Sequence, residues 1–224
     1  MDILIDDSER IRHLTLNRPN KRNALTLKMC SDLIESVRSA QSRADIGCIL
    51  IDANGSVFSS GMDLAESAPM EELLKVHEQL FTLGAQSLKP IVVAVSGAAL
   101  AGGLGLVAQG HVVFASPNAV FGLPELRVGF WPFIVYRSIE TALGKRRALQ
   151  LSLTASNFDA PQAFAWGLVH EVCSADEIAA GYRAKLLASA DFKEGTTARK
   201  EKRVPFWPSM PRDFYANRPG SADE

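Results

Sequence analysis

A glycine-rich turn near the middle of the chain has the composition of an anion-binding site. The apolar run Ile91–Val95 is followed by small residues up to Gly102 and Gly103, and then by apolar residues at helical spacing. This pattern predicts a buried strand, a turn and a buried helix. The first N–H groups of a helix have no intrahelical partner, the helix dipole favours negative charge there, and glycines leave these groups uncovered. Such a turn could hold an anion or a developing oxyanion.

Two other interpretations of these glycines stay open at this point. Glycines also allow a helix to pack closely on a sheet. In addition, residues 103–108 fit the dinucleotide-binding pattern G-x-G-x-x-A. That pattern needs an acidic residue after the next strand, but the predicted strand Val112–Ala115 is followed by Ser116 and Pro117. The sequence therefore disfavours dinucleotide binding and does not separate packing from an oxyanion hole.

A lone acid, Glu125, lies in an apolar segment that glycine and proline interrupt. Apolar surroundings raise the pKa of a carboxyl group, which suits proton transfer near neutral pH. An ion pair with Arg127, or a helix cap, would explain the same residue without chemistry. The residues alone leave these alternatives equally open.

A second turn of small residues, 54–64, follows the predicted buried strand 47–51. Ligands gather at the carboxyl ends of parallel strands, so this turn could face the first one. Core packing is the alternative role for Met62. The polar, partly basic loop 17–23 is either solvated or in contact with a phosphorylated ligand.

Strands and helices alternate along the chain, which predicts an α/β fold. The first strand pair is a hairpin of 3–5 with 11–16. Apolar spacing predicts helices that begin after Thr26 and cover 69–88, 139–152 and 156–167. His77 falls on an apolar helix face and has no evident partner.

Composition excludes several classes of function. The 224 residues have a net charge of −1, which gives no field for nucleic acid or an anionic membrane. No apolar run is long enough to span a bilayer, and the acidic N-terminus lacks the layout of a signal peptide. The three scattered cysteines indicate reduced thiols and no metal site. We therefore expect a cytoplasmic protein without a metal, a nucleic-acid partner or a membrane.

The order of short motifs resembles that of the crotonase (enoyl-CoA hydratase/isomerase) family. The likeness runs over about four-fifths of the chain, and it is the order and spacing that make it specific. The matching stretches are Leu16-Asn17-Arg18-Pro19 with Asn23-Ala24-Leu25, Phe58-Ser59-Ser60-Gly61-Met62-Asp63-Leu64, residues 94–105, Phe121-Gly122-Leu123-Pro124-Glu125, and residues 163–172 around Trp166-Gly167-Leu168-Val169.

The resemblance implies a spiral of ββα turns with surrounding helices, assembled as a homotrimer or hexamer, that binds an acyl-CoA thioester. Coenzyme A would be part of the substrate, and no separate cofactor is expected. The backbone amides of Met62 and Gly102 would form an oxyanion hole, with Glu125 as the catalytic acid. The substrate-binding residues would be Arg18, Arg22, Ala24, Ser60, Gly61, Asp63, Leu64, Gly103, Gly105, Pro124 and Trp131.

One departure from the family pattern bears on the reaction. The family's hydratases use two glutamates, and Gly105 occupies the position of the first, whereas Glu125 matches the second. A single glutamate can move a proton between two carbons of an enoyl thioester, so the favoured activity is double-bond isomerisation. The alternatives are hydration with one glutamate, and acyl-CoA binding without catalysis.

Two further departures concern the acyl pocket and the C-terminus. Bulky residues at 130–136, where hydratases carry small glycines, predict an acyl pocket that is drier and lined by bulkier side chains. Residues 176–190 are short for the family, so we expect a core domain at 1–175 and a shortened C-terminal helical segment and tail at 176–224.

Overall fold

The computed structural model describes residues 1–174 together with Thr197 and Glu201, and of Met70 only the backbone. The strands of this part of the chain are β1 (Ile3–Ser8), β2 (Ile11–Leu16), β3 (Cys48–Ala53), β4 (Val57–Ser59), β5 (Ile91–Val95), β6 (Ala98–Leu100), β7 (Val112–Ala115), β8 (Val120–Gly122), β9 (Asn157–Asp159) and β10 (Glu171–Val172). The helices are α1 (Leu27–Ser42), α2 (Met70–Leu80), α3 (Leu83–Gln86), α4 (Gly102–Val107), α5 (Phe133–Leu143), α6 (Lys145–Thr154) and α7 (Ala160–Ala165), with 3₁₀ helices at Pro19–Lys21 and Pro124–Val128.

The larger sheet has the strand order β1-β2-β3-β5-β7-β10. The predicted hairpin is present: β1 and β2 are antiparallel, with Ile3 opposite Leu16. Every other pairing in this sheet is parallel. All five residues of β5 are buried, as expected for a parallel strand covered on both faces.

A second, smaller sheet has the order β4-β6-β8-β9, in which β4, β6 and β8 are parallel. The chain therefore winds as a spiral, in which a strand of the larger sheet leads to a strand of the smaller sheet and then to a helix. Apolar side chains of both sheets and of α1 and α4 fill one core. The predicted α/β spiral of ββα turns is confirmed.

Helix boundaries follow local chemistry more closely than apolar spacing. The Thr26 hydroxyl accepts a hydrogen bond from the Met29 amide at 3.2 Å, so α1 begins where predicted. The single helix predicted over 139–152 is wrong, because Gly144 adopts φ +79° and separates α5 from α6. The helix predicted over 69–88 is likewise interrupted, after Leu80.

Internal contacts divide the chain after Ala175, and the unit before this division contains all the elements named above. The predicted shortening of 176–224 lies outside the described residues. Within the described part of the chain, no helix combines the length and apolar character needed to cross a bilayer, and no group of three His, Cys, Asp or Glu side chains could hold a metal ion.

Candidate active site

Three adjacent parallel strands of the smaller sheet bring the candidate catalytic groups together. Met62 follows the end of β4, Gly102 follows β6, and Glu125 follows β8. These strands are neighbours in register, with Ser59 beside Ala99 and Leu100 beside Gly122. The carboxyl ends of parallel strands open at one edge of a sheet, so residues far apart in sequence meet there.

The first two of these turns pack directly against each other. A methyl group added to Gly102 would lie 3.5 Å from the amide nitrogen of Met62. Gly61 has φ +98°, and a Cβ atom there would come within 2.8 Å of the Ala101 Cβ. Ala101 itself has φ 50° and ψ −120°, a strained conformation for a residue other than glycine. The close approach of the two turns thus depends on Gly61 and on strain at Ala101.

The Met62 turn is held in place by the chain segment that precedes α1. The amide of Leu25 donates to the Gly61 carbonyl at 2.8 Å, and the Asp63 amide donates to the Leu25 carbonyl at 2.9 Å. In the part of the chain that the structure describes, neither the Met62 nor the Gly102 amide has a hydrogen-bond acceptor. Both N–H groups are therefore available to a substrate oxygen, as predicted for an oxyanion hole.

Glu125 belongs to the 3₁₀ helix Pro124–Val128 and lies largely out of water. Its buried Oε2 atom has no hydrogen-bond partner among the described residues. Burial raises the pKa of Glu125 to about 6, because the charged form loses its hydration, and a hydrogen bond from its own amide opposes this only weakly. Arg127 donates instead to the Ala155 carbonyl, so the ion pair considered from sequence is not formed.

All three groups line a cavity of about 520 Å³. Seven of the sequence-predicted site residues line it, namely Ser60, Met62, Leu64, Gly102, Pro124, Glu125 and Trp131. The rest of the wall is largely apolar and comes from Leu74, His77, Phe81, Ala101, Arg127, Val128, Phe130, Pro132, Phe133, Ile134 and Val135. A wall of this composition agrees with the dry pocket expected from the bulky segment 130–136.

Four of the predicted substrate-binding residues do not line the cavity and instead take part in contacts that support the Met62 turn. These residues are Arg18, Arg22, Ala24 and Asp63. Arg18 Nη1 contacts an Asp63 carboxylate oxygen at 3.0 Å and the Ala24 carbonyl at 2.6 Å. This ion pair lowers the pKa of Asp63. Arg22 is exposed, and its carbonyl accepts from the Ser60 amide at 3.0 Å.

Gly103 and Gly105 serve close packing. A Cβ at Gly103 would lie 2.4 Å from the Ser59 carbonyl oxygen. At Gly105 it would lie 2.8 Å from both the Phe81 ring and a Val135 methyl group. Protein atoms occupy the space on the Cβ side of both glycines, which supports the packing interpretation. The packing interpretation therefore applies to Gly103 and Gly105, and the oxyanion interpretation remains a prediction for the Gly102 amide.

Two residues of the site were not identified from the sequence. Phe81 lines the cavity and packs against Gly105. In the sequence, its position on an apolar helix face is the only feature that indicates burial. Asn23 is fully buried, and its amide group donates to the carbonyls of Asn54 and Val57 at 2.9 and 2.7 Å, which ties loop 17–23 to β4.

His77 also lines the cavity, and it does have partners. Its Nδ1 lies 2.7 Å from the Leu73 carbonyl, and its Nε2 lies 3.9 Å from the Cys30 sulfur. Burial lowers its pKa, so the ring is neutral near pH 7. Glu125 is thus the one carboxyl among the described residues that line the cavity. Two amides and one carboxyl can stabilise an enolate and move a proton.

Comparison with known proteins agrees with this geometry. A family model described as enoyl-CoA hydratase/isomerase matches residues 6–190. A protein named probable enoyl-CoA hydratase from Mycobacterium leprae is 33% identical over 180 residues, which cover 79% of this chain and 70% of the relative. The 2,3-dehydroadipyl-CoA hydratase of Escherichia coli is also 33% identical, with coverage of 78% and 70%.

Solved structures show the same fold. An enoyl-CoA hydratase/isomerase family protein from Silicibacter pomeroyi aligns with a TM-score of 0.79 at 26% identity, covering 96% of this chain and 95% of that chain. An enoyl-CoA hydratase from Mycobacterium smegmatis aligns with a TM-score of 0.76 at 25% identity, with coverage of 92% and 99%.

Proposed function

Because this chain belongs to the enoyl-CoA hydratase/isomerase family and has the crotonase fold, we propose that it shifts the double bond of an enoyl-CoA thioester with Glu125 as its single acid. The observation that carries this proposal is that a carboxyl group, whose buried Oε2 atom has no partner among the described residues, lines the same cavity as two amides without acceptors. The following steps use only groups of the described chain.

The thioester carbonyl oxygen accepts hydrogen bonds from the Met62 and Gly102 amides. These bonds strengthen as the oxygen gains negative charge, and one such donor contributes roughly 2.7–4 kcal/mol to transition-state stabilisation in other enzymes. The amides are fixed before substrate arrives by the Leu25 pairing and by the packing of Gly61 on Ala101. Little reorganisation is then needed during the reaction.

The Glu125 carboxylate takes a proton from the α-carbon of a 3-enoyl-CoA. The electron pair of that C–H bond enters a conjugated dienolate, whose oxygen lies at the two amides. The resulting carboxylic acid returns the proton to the γ-carbon, the carbonyl reforms, and a 2-enoyl-CoA leaves. A pKa of about 6 suits both steps, because the group can accept and release a proton near neutral pH.

The surroundings of Gly105 favour isomerisation over hydration. Hydration adds water across the double bond, and family hydratases use a second carboxylate for this. Phe81 and Val135 fill the space into which a side chain at position 105 would project. The cavity wall is also mainly apolar, which disfavours an ordered water.

A direct assay tests the proposal. Purified protein is incubated with a 3-enoyl-CoA, and the conjugated 2-enoyl-CoA is followed by its absorbance. We expect turnover, and a loss of at least about a hundredfold in kcat for Glu125→Gln, since the amide cannot accept the proton. Glu35→Gln, at an exposed position on α1, is the matched control and should retain full activity. Full activity of Glu125→Gln would remove the role assigned to Glu125.

Hydration is the second candidate, because the relatives named above are called hydratases. Faster hydration of crotonyl-CoA than isomerisation of a 3-enoyl-CoA would favour it. A third outcome, acyl-CoA binding without turnover or exchange of α-protons with deuterated solvent, would indicate a catalytically silent binding protein.

A further inference from the structure

We propose that the acyl group processed at this site is an unsubstituted hydrocarbon chain that is long enough to leave the cavity, so that its distal part lies on an apolar lip at the cavity mouth. The lip consists of Leu64, Val128, Phe130 and Phe133. This inference rests on the proposed function, because it assigns a substrate class to the same cavity.

The interior of the cavity offers little to a polar substituent on the chain. Its wall includes Phe81, Trp131, Ile134 and Val135, and the indole N–H of Trp131 is the one side-chain hydrogen-bond donor among these four. Both ring nitrogens of His77 are already occupied by Leu73 and Cys30. A hydroxyl or carboxylate buried against this wall would lose its water and gain at most the hydrogen bond from Trp131, whereas a methylene group would only lose contact with water.

The remaining polar side chains of the wall belong to Ser60, Glu125 and Arg127. Ser60 lies two residues before the Met62 amide, Glu125 is the proposed catalytic acid, and Arg127 is exposed and donates to the Ala155 carbonyl. The part of the cavity beyond the reacting carbons therefore selects against polarity.

The lip continues this apolar wall outward. Each of its four residues lines the cavity and is also exposed, Leu64 by 70% and Phe133 by 76%. Contiguous exposed apolar surface on a soluble protein commonly marks a binding site. Because the lip is continuous with the cavity that holds the reacting carbons, a chain that outgrows the cavity passes directly onto it.

Calorimetric binding of saturated acyl-CoAs tests the inference without turnover. Butyryl-, hexanoyl-, octanoyl- and decanoyl-CoA are compared with adipoyl-CoA, which ends in a carboxylate. We expect affinity to rise about three- to fourfold per added methylene. Adipoyl-CoA should bind at least about tenfold more weakly than hexanoyl-CoA. A flat series, or equal binding of adipoyl-CoA, overturns the inference. A rising series without isomerisation of any 3-enoyl-CoA overturns the proposed function instead.

Substitutions in the lip give a second test, and substitutions elsewhere on the surface serve as matched controls. Leu64→Ser and Phe133→Ser should weaken decanoyl-CoA binding about tenfold and butyryl-CoA binding less than twofold. Leu88→Ser and Phe164→Ser remove residues of the same types that are also exposed, by 87% and 56%, but do not line the cavity, and these variants should change neither affinity. Equal loss for both ligands contradicts a role in chain length. A changed sedimentation mass with unchanged affinities would mean that a second copy of the chain covers the lip.

Discussion

The role proposed for Glu125 places a carboxyl group in surroundings that disfavour its charge. Its Oε2 atom has no hydrogen-bond partner among the described residues, and burial raises the pKa of the group to about 6. In the proposed reaction the carboxylate is the base, so the active form exists above this pKa and is lost as the pH falls through it.

We therefore predict that kcat/KM for a 3-enoyl substrate falls tenfold per pH unit below about pH 6 and is level above it. Phosphate groups of coenzyme A also titrate near pH 6. The profile is therefore repeated with an N-acetylcysteamine thioester, which has no phosphate. A midpoint near pH 4.5 with both substrates would show that the Glu125 carboxyl is hydrated in the working enzyme.

The same burial predicts a gain in stability on removing the charge. A pKa raised by folding contributes stability below the unfolded value near 4.5, and this contribution is lost as the pH rises through 6. Glu125→Gln should thus have a free energy of unfolding up to roughly 2 kcal/mol above that of the natural chain near pH 8, with no difference near pH 4. Urea unfolding at the two pH values measures this, with Glu35→Gln as control. An equal change in the free energy of unfolding at both pH values would show that titration of Glu125 is not the cause of the change.

Gly61 allows a test of the turn geometry. An alanine there needs φ +98° and places its Cβ 2.8 Å from the Ala101 Cβ. Gly167 also has positive φ, +79°, but nothing lies within 4 Å of its Cβ position. Both Gly→Ala variants should lose about 1–2 kcal/mol of stability, because alanine disfavours positive φ. Only Gly61→Ala should also lose at least about tenfold in kcat, since the amides move. Equal kcat in the two variants would contradict the proposed oxyanion hole.

The loop between β2 and α1 supports the site from outside the cavity. Arg18 joins Asp63 and Ala24, while Asn23 fastens the loop to β4. The sequence predicted contact of Arg18 and Asp63 with the substrate, and their mutual ion pair suggests that they position the Met62 turn instead.

Substrates with and without coenzyme A separate the two roles. If Arg18 positions the turn, Arg18→Ala and Asp63→Asn should each lower kcat about five- to tenfold for both a CoA thioester and an N-acetylcysteamine thioester. If Arg18 binds coenzyme A, Arg18→Ala should raise KM for the CoA thioester alone, and Asp63→Asn should not. Lys28→Ala, at an exposed position of α1, is the control for lost positive charge.

Sequence patterns predicted most helices and longer strands. They did not predict the three-residue strands or the contacts between distant elements. Period and capping identified β5, β7 and the start of α1. The strands β4, β6 and β8 have only three residues each, which is too short for an alternating apolar pattern, so the residues alone predict turns at these positions. The contact of Gly105 with Phe81 joins residues 24 positions apart, and no local pattern encodes it.

Assembly remains a prediction from family resemblance. We expect sedimentation at three or six times the chain mass of 24.3 kDa. A monomer at micromolar concentration would contradict it. Retained 3-enoyl-CoA turnover by such a monomer would further show that one chain holds a complete site.

The candidate catalytic groups were predictable because the strands that precede them follow one another in the same order along the chain and in the smaller sheet. The groups at positions 62, 102 and 125 follow successive strands of one small sheet. The apolar cavity wall and the contacts of Arg18 were less predictable, because both depend on side-chain contacts between different turns of the spiral.

The spiral arrangement also bears on how such a protein can diversify. The amides follow short strands whose register fixes them. In contrast, Leu64 and Phe130 of the lip lie in connecting chain, and Val128 and Phe133 lie at the ends of the two helices that flank Phe130. Insertions in connecting segments cost little free energy of loop closure. Under the proposed function, evolution can exchange the surface that contacts the acyl chain and keep the two amides unchanged, so new substrate preferences can arise on an inherited reaction.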